Sequence, residues 1–525
     1  MSELMYINGK KIKYNKTTKI YIFLSIFVTA ILLNNLFLIP HYSTDSYSNL
    51  FDRSINIYQS EALGRPLTSL FWYIINAFGV NVVEEQIFFT LISIFIMSIA
   101  SFFIGDICLL IKQDHSLLNI IIINLASILI VFNSFSVEMF QFSYMLPFAS
   151  VAVFFVVLSI RVLVTEITIK RIFISFIMIS FSLFFYQGWG ALFVPLALTI
   201  LLFINKKRSF KALVSVSFKI FFIYGSACIV NLAYIKIIHP LFSGITIDAR
   251  TTNEINLVRN IEEILRMQYD IWVLNLNMTP KYIFLGFVLI LTLICFYFVM
   301  RENCQREVKK IAIIYSLVSI LLITLSYLPH VATSVVWIVQ RSLMALGALP
   351  GLLIIFIWLF TNNKNLESGN TIKQIENKVD YRNNKILLLL TSFAYFFVLF
   401  TSTSAIASDH LSTNKLDQEV AKLILENIEE KEEKLGITIT KIAFINDTNP
   451  IWYYNNIIHY RDLNIRALNV DWSVIPLLQF VSKRKFERVD MDSEIYNKYF
   501  KGRDWDAFSN EQIVIENNVA YIVMF

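Results

Sequence analysis

The sequence predicts an α-helical polytopic membrane protein with a small α/β domain at its C-terminal end. Of the 525 residues, 56% are hydrophobic and 16% are charged, whereas a typical soluble protein carries about 25% charged residues. Apolar runs of about 20 residues, the length that crosses a bilayer as a helix, recur along the chain. From Ser408 onward the composition changes to a charged and mixed pattern.

Hydropathy divides the chain into three parts. Residues 1–19 are basic and are expected in the cytoplasm, residues 20–407 form a transmembrane domain, and residues 408–525 form an extracytoplasmic domain. The core of the first apolar run is too long for a signal peptide, so we expect it to be a retained helix. About eleven helices are predicted, over 20–40, 87–111, 117–133, 139–164, 171–187, 190–205, 212–238, 281–300, 311–328, 338–360 and 386–407.

Basic loops support this topology. Lysine and arginine concentrate in the segments 164–171, 206–211, 301–310 and 362–385. Such loops stay in the cytoplasm, and eleven spans with a cytoplasmic N-terminus put every one of them there. The same alternation leaves three large segments on the outer side, which are the loops 40–86 and 239–280 and the C-terminal tail.

The second outer loop, 239–280, contains a predicted amphipathic helix. Ile255, Val258, Ile261 and Leu265 recur at helical spacing, and charged residues stand between them. This pattern is typical of a helix that lies along the membrane surface.

The tail is long enough to hold a core of its own. It starts with a charged helix over 414–436, and the sequence "TKIAFIND" (440–447) reads as a buried strand. Apolar pieces at 474–483 and 520–525 supply further helix or strand. About 115 residues suffice for a small α/β domain. The tail has no cysteine, so no disulfide supports it.

Charged residues follow the first predicted span directly. Asp45 is the carboxylate nearest the end of that helix, and Asp52 comes seven residues later, followed at once by Arg53. A carboxylate at the water–lipid boundary could act as a base on a substrate with a lipid tail. The alternative is a solvated loop with ordinary surface ion pairs.

The first outer loop closes with "EALGRP". Gly64 permits a tight turn, Arg65 offers a planar fork of donors suited to phosphate, and Pro66 can begin a helix. A helix cap or an ion pair with a loop carboxylate is the equal alternative. The apolar segment 67–79 is too short to span, and we expect it to lie in the membrane interface or to re-enter.

Two further segments place polar side chains at the outer ends of spans. "FFYQGWGAL" contains Tyr186, Gln187 and Trp189, which an aromatic belt and a turn would also explain. Gln187 fits that explanation least well, since an amide at membrane depth needs partners.

Gln340 and Arg341 stand within or at the edge of an apolar stretch. An arginine at that depth is costly and suggests a functional role, such as binding the phosphate of a lipid-linked substrate. Snorkelling to the interface is the alternative. Glu138 falls in a short outer loop on the same side. Other candidates with no diagnostic spacing are His330, Asp248, Arg250 and Asp270.

Several functional classes find no support in the sequence. It contains no Walker A sequence, no G-x-S-x-G and no H-E-x-x-H. The net charge of +6 reports membrane topology rather than nucleic-acid binding. The four cysteines lack the spacing of a metal site or redox pair, and we expect them to be packing residues: Cys108, Cys228, Cys295 and Cys304.

The order of these motifs resembles a known family. The chain has a short basic N-terminus, one helix, an acidic outer loop that ends in a "GRP" sequence, and then many helices, which is the plan of GT-C glycosyltransferases. "D…DR…GRP", the "YQ" pair and the intramembrane "QR" pair together resemble the bacterial glucosyl transferases that convert O-antigen serotype. The resemblance covers about residues 20–405. Family members often show paired acids in the first loop, whereas this chain reads Thr44-Asp45-Ser46, so Asp45 and Asp52 both stay candidates.

The resemblance implies an inverting transfer of a sugar, glucose by preference, from undecaprenyl phosphate to a hydroxyl of O-antigen or a similar surface glycan. Transfer would take place on the periplasmic face of the bacterial inner membrane, with Asp45 or Asp52 as base and no metal or other cofactor. A flippase and a donor synthase would be partners. Donor phosphate would meet Arg341, Arg65 or Arg53, and the substrate-binding side chains would be Tyr186, Gln187, Gln340, Glu138 and Trp189.

Three other functions remain open from the sequence. An oligosaccharide polymerase or ligase shares lipid-phosphate donors and large outer loops. A transporter usually shows internal repeats and polar residues at the midplane, and this chain shows no such repeat. A non-catalytic scaffold would bind a partner through its tail and would tolerate loss of Asp45.

Overall fold

The computed structural model of the protein describes most of the chain. The described residues are 4–7, 10–13, 16–112, 116–204, 210–238, 255–301, 305–331, 333–361, 371–446, 451–503, 505 and 508–524. Parts of the predicted basic loops, at 206–209, 302–304 and 362–370, and the first part of the second outer loop, at 239–254, lie outside these ranges. So do the candidates Asp248, Arg250 and Cys304.

Helices dominate the described residues. In chain order the α-helices are α1 Lys16–Leu33, α2 Thr44–Phe51, α3 Ser54–Ala62, α4 Pro66–Ala77, α5 Gln86–Lys112, α6 Leu117–Val131, α7 Val137–Gln141, α8 Leu146–Thr165, α9 Ile169–Phe185, α10 Phe193–Ile204, α11 Phe210–Ala233, α12 Leu257–Arg266, α13 Gln268–Trp272, α14 Ile283–Arg301, α15 Gln305–Val331, α16 Met344–Gly347, α17 Leu349–Thr361, α18 Thr371–Leu435, α19 Ile451–Tyr454, α20 Asp471–Ser482 and α21 Ser493–Ile495. Short 3₁₀ turns at Gln187–Leu192 and Gln340–Ser342 lie between longer helices.

Strands occur at the two ends of the chain. They are β1 Leu4–Ile7, β2 Lys10–Lys13, β3 Lys441–Ile445, β4 Glu487–Arg488, β5 Ile513–Glu516 and β6 Val519–Val523. β1 and β2 form an antiparallel hairpin. The other four form one sheet in the order β4-β3-β6-β5, in which β3 runs parallel to both neighbours and β5 runs antiparallel to β6.

Within the described residues, four helices are long and apolar enough to cross a membrane. They lie over Gln86–Lys112, Leu146–Thr165, Val214–Ile237 and Asn383–Leu435, and a pair bent by 45° at residues 132–133 makes a fifth if it counts as one span. Other apolar helices are shorter, such as Ile283–Tyr297. The fold is therefore that of a helical membrane protein, and the count of eleven spans stays a prediction.

Two predicted spans are interrupted near their start. The span predicted over 139–164 contains the end of α7 before α8 begins at Leu146, and the one predicted over 338–360 contains the 3₁₀ turn Gln340–Ser342 and α16 before α17 begins at Leu349. Asn133 explains part of the irregularity at both places. Its Oδ1 accepts from the backbone N–H of Phe135 at 3.0 Å, and its Nδ2 donates to the carbonyl of Met344 at 2.9 Å. One amide thus caps the 3₁₀ turn that follows α6 and ties the segment before α17 to it.

The helical core is built around α17. Its residues from Leu349 to Leu359 are nearly all buried, and an α-helix that is apolar all round belongs inside a bundle. α6 packs against α17, α5 packs against α6 and α8, and α8 packs against α9. The site described below therefore stands on a rigid support.

The tail is joined to the bundle by a single helix. α18 has 65 residues and continues from the last apolar segment into the charged sequence beyond residue 408, so the boundary predicted at 408 falls within one helix. The end of α18 and α20 cover one face of the β3–β6 sheet, where Ile424, Leu477 and Ile522 share a core. Tyr47 of α2 lies in that same core, so the tail packs directly onto the first outer loop.

Candidate functional site

Asp45 lies in the first turn of α2, where the tail meets the helical bundle. The N–H of Ser43 bonds the Oγ of Ser46 at 3.1 Å and fixes the start of this helix. One oxygen of Asp45 accepts from the hydroxyl of Tyr144 at 3.0 Å, and the other accepts from the indole Nε1 of Trp472 at 2.8 Å. A carboxylate has about four lone-pair sites, so this group can still accept a proton or a substrate hydroxyl.

Tyr144 stands between α7 and α8 and is almost fully buried. Burial raises the pKa of its hydroxyl well above the usual value, and the nearby Asp45 carboxylate raises it further. Tyr144 therefore stays protonated at physiological pH and keeps donating its hydrogen bond to Asp45.

Trp472 reaches Asp45 from the tail. It is the second residue of α20 and is 60% exposed, and its carbonyl also accepts from the hydroxyl of Ser48 at 2.8 Å. Nothing in the sequence pointed to this tryptophan, because its contact with α2 depends on how the tail packs. An exposed indole beside a carboxylate offers a flat surface at the mouth of the site.

Arg341 lies between two carboxylates. Its guanidinium donates to Glu138, and its backbone N–H donates to the same carboxylate at 2.6 Å. The other guanidinium nitrogen donates to Asp462 of the tail at 2.6 Å, and the guanidinium carbon lies 4.4 Å from the centre of the Phe142 ring. The site thus contains one arginine that is already paired with two carboxylates.

The 3₁₀ turn that carries Arg341 is anchored by its neighbour. The amide of Gln340 donates to the carbonyl of Leu276 at 2.8 Å. The Gln340 side chain is fully buried, and its Oε1 has no hydrogen bond among the described residues. Gln340 therefore positions the backbone next to Arg341.

The structure brings the "GRP" and "YQ" sequences together across 122 residues. Nε of Arg65 donates to Oε1 of Gln187 at 2.8 Å, and its guanidinium lies 4.4 Å from the centre of the Tyr186 ring. The amide of Gln187 donates to the carbonyl of Leu63 at 3.0 Å. Gln187 thus has the partners that an amide at this depth requires.

Glycines make these close approaches possible. Gly64 has a φ of +71°, and a Cβ on it would lie 2.3 Å from the side chain of Ile235. A Cβ on Gly188 would lie 2.8 Å from the carbonyl of Arg341 and 3.0 Å from the Tyr186 ring. The turn that follows Gln187 therefore passes directly against the Arg341 backbone, which joins the two arginine clusters into one region.

Three predicted site residues lie apart from this region. Oδ1 of Asp52 accepts from the N–H and the hydroxyl of Ser54, at 2.9 and 2.6 Å, and so starts α3. Arg53 donates to the carbonyl of Gly79 at 3.0 Å. Trp189 is fully buried in the helical core.

The remaining candidates occupy ordinary positions. His330 is buried in the last turn of α15, and Asp270 accepts from the hydroxyl of Tyr460 at 3.2 Å. In the described part of the chain, no group of three or more histidines, cysteines, aspartates or glutamates is placed to hold a metal ion. Two residues that contact the site, Asp462 and Trp472, come from the tail and carried no recognisable motif.

These features define a helical membrane protein in which a carboxylate, Asp45, and an arginine, Arg341, both bond side chains of the tail where it packs onto the bundle. The chain belongs to the glucosyl transferase GtrII family, whose model matches residues 35–358. This match covers more than half of the chain and confirms the resemblance inferred from the motifs. No curated protein and no solved structure matches the chain.

The matched region contains Asp45, Arg65, Gln187 and Arg341 but stops before the tail. The family assignment makes the protein a glycosyltransferase of the glucosyl transferase type. Asp462 and Trp472 are contributions to the site from outside the matched region.

Proposed function

We propose that the protein is an inverting glucosyltransferase that moves glucose from undecaprenyl phosphate to a hydroxyl of O-antigen or a similar surface glycan. It acts on the periplasmic face of the bacterial inner membrane as a multi-pass protein with a cytoplasmic N-terminus and a periplasmic tail. A flippase and a synthase supply the donor lipid. The family match supports the glucosyl transfer, and the apolar helices support the membrane location.

The observation that carries the proposal is the environment of Asp45. Its two oxygens accept from Tyr144 and Trp472, so the carboxylate is fixed in orientation at the junction of bundle and tail. A fixed, half-buried carboxylate is suited to act as a general base. Asp52 instead uses its oxygen to start α3, which favours Asp45 for this role.

The proposed step is a single displacement. The acceptor hydroxyl loses its proton to Asp45 while its oxygen forms a bond to C1 of the donor glucose. The bond between C1 and the phosphate oxygen breaks, and undecaprenyl phosphate leaves with the electron pair of that bond. Attack opposite to the leaving group inverts the anomeric centre.

The leaving phosphate gains negative charge, which a nearby cation stabilises. Arg65 and Arg341 are the candidates, and no metal is required by this scheme. Arg341 is already bonded to Glu138 and Asp462, so contact with phosphate would compete with Asp462, the partner that comes from the tail.

The test is glucose transfer in cells that carry Asp45→Asn. Asparagine keeps the size of the side chain but is not a base, and loss of a general base slows a reaction by about 10²–10⁴-fold. We expect the added glucose to disappear from the released glycan, measured by mass spectrometry, while protein level and membrane insertion stay normal.

Asp52→Asn is the matched comparison, and we expect it to transfer within about twofold of wild type. Full transfer by Asp45→Asn would remove Asp45 from the mechanism. A wild-type protein that adds no sugar would overturn the transferase proposal itself and favour a polymerase or a transporter.

A further inference from the structure

Trp472 is exposed on the tail, although neither the core of the tail nor the bilayer explains its exposure. Many exposed large apolar side chains, such as Phe88 and Phe218, lie on predicted spans, where lipid covers them. In the described part of the tail, such side chains are Leu423, Leu435 and Trp472, and Trp472 is the most exposed of them at 60%. Tryptophan is on average a highly buried residue, so this exposure suggests that the indole contacts a ligand.

The indole is held in place from two sides. Its Nε1–H donates to Asp45 at 2.8 Å, and the backbone carbonyl of Trp472 accepts from the hydroxyl of Ser48 at 2.8 Å. Both partners belong to α2, so the indole keeps a fixed position relative to the proposed base. A side chain that is already immobile loses little conformational entropy when it binds a ligand.

Asp45 has a bundle side and a tail side. One oxygen accepts from Tyr144, on the bundle side. There the ring of Phe142 lies 6.4 Å from the Tyr144 ring and 4.4 Å from the guanidinium carbon of Arg341. The other oxygen accepts from Trp472 of the tail. An inverting displacement has its acceptor and its leaving group on opposite sides of C1. With the leaving phosphate on the Arg341 side, the acceptor hydroxyl would approach from the Trp472 side.

The charges around the indole disfavour an anionic ligand. Asp471 precedes Trp472 in α20, and the charged groups that bond these two residues within the described part of the chain are Asp45 and Arg488. Two carboxylates and one guanidinium carry a net negative charge, which repels a phosphate but not a neutral molecule. The side chains of Asp471 and Arg488 are 59% and 46% exposed, so they can accept from and donate to the hydroxyls of such a molecule.

A sugar ring matches these groups. The C–H groups on the face of a pyranose carry partial positive charge, and the face of an aromatic ring carries partial negative charge. The edge of the sugar carries hydroxyls, which both donate and accept. A ring stacked on the indole would bond Asp471 or Arg488 through one hydroxyl and present another to Asp45.

We propose that the exposed face of Trp472 binds a sugar ring of the acceptor glycan and directs one hydroxyl of that ring to Asp45. This inference rests on the proposed function, because Asp45 must be the base of a sugar transfer. It assigns acceptor recognition to the tail, which lies outside the region that matches the family model. The donor would be bound by the bundle instead.

The experiment titrates a soluble glycan into the full-length protein in nanodiscs. The probe is O-antigen polysaccharide, released from its lipid, from the encoding strain with the gene for this protein deleted, so that the acceptor hydroxyl is free. Trp472→Leu removes the flat face and should weaken binding by about tenfold or more, as truncation of a central aromatic contact does. Trp472→Phe keeps an aromatic face and should bind within about threefold of wild type.

Initial rates with undecaprenyl-phosphate glucose separate acceptor binding from the positioning of the base. Trp472→Leu should raise the KM for the polysaccharide by about tenfold and leave the KM for the donor lipid within about twofold. Trp472→Phe should chiefly lower kcat, because phenylalanine lacks the N–H that bonds Asp45. Leu423→Ala removes another exposed apolar side chain of the tail and should leave binding and both KM values unchanged.

The outcomes separate the inference from the proposed function. Equal polysaccharide binding by wild type and Trp472→Leu, with the same loss of kcat in both Trp472 variants, would show that the indole only orients Asp45 and would overturn the inference. Binding that falls only with the amount of folded protein, or a wild type that binds no polysaccharide, would also overturn it. If wild type binds polysaccharide but transfers no glucose, the proposed function fails, and loss of binding in Trp472→Leu would still support a glycan site on the tail.

Discussion

The protein contains two ion clusters with opposite ratios of cations to carboxylates, and the two clusters connect different parts of the fold. In the Asp106 cluster, one carboxylate lies 3.2 Å from Arg161 and 3.6 Å from Lys19. In the Arg341 cluster, one guanidinium bonds Glu138 and Asp462. The first has two cations for one carboxylate, and the second has two carboxylates for one cation.

The difference lies in the elements that are joined. The Asp106 cluster links α1, α5 and α8, all within the helical bundle. The Arg341 cluster links α7 to the tail, and it lies beside the turn that contacts Arg65 and Gln187. The comparison teaches that a buried ion pair can fix helices of the bundle to each other in one place and tie the tail to the proposed site in another.

The largest effect is expected from Arg341→Gln. It leaves Glu138, whose side chain is fully buried, without its cation, and removal of one partner from a buried ion pair costs about 3–5 kcal/mol. We expect a large drop in the melting temperature of the purified protein and loss of glucose transfer in cells.

The control for this change is the double variant Glu138→Gln with Arg341→Gln. Removing both charges should recover a large part of the stability, because no buried charge is left unpaired. Transfer should stay absent in the double variant. A double variant as unstable as Arg341→Gln would contradict the pairing argument.

A smaller effect is expected from Asp106→Asn. The side chains of Arg161 and Lys19 are 22% and 19% exposed, so both cations can turn toward solvent when the carboxylate is lost. The expected loss is about 1.5–3 kcal/mol, the worth of a hydrogen bond to a charged group. Glucose transfer per folded molecule should equal that of wild type. A loss of transfer per folded molecule would show that this cluster affects the reaction as well as stability.

Part of the site could be predicted from the sequence. The order of "GRP", "YQ" and "QR" led to the family, and Arg65, Tyr186 and Gln187 do meet in space. These short motifs contact each other through their own backbone turns, where Gly64 and Gly188 leave room for close approach.

Other parts could not be predicted. The segment 338–348 has the hydropathy of a continuous helix, but it forms a 3₁₀ turn and the short α16, and Asn133 bonds the carbonyl of Met344 there. Asp462 and Trp472 reach the site only through the packing of the tail, which leaves no local pattern. The proposed preference for Asp45 over Asp52 rests on contacts with Tyr144, Trp472 and Ser54, which composition does not reveal.

The smallest effect is expected from Asp462→Asn, which changes the Arg341 cluster from two carboxylates to one. The Asp462 side chain is 24% exposed, so stability should change by less than about 1 kcal/mol. Because Glu138 alone then balances Arg341, the guanidinium should attract a phosphate more strongly, and undecaprenyl phosphate should bind two- to tenfold more tightly, by about 0.4–1.4 kcal/mol. Titration of the lipid in nanodiscs measures this directly. Weaker binding would mean that Asp462 orients Arg341 rather than competing with phosphate for it.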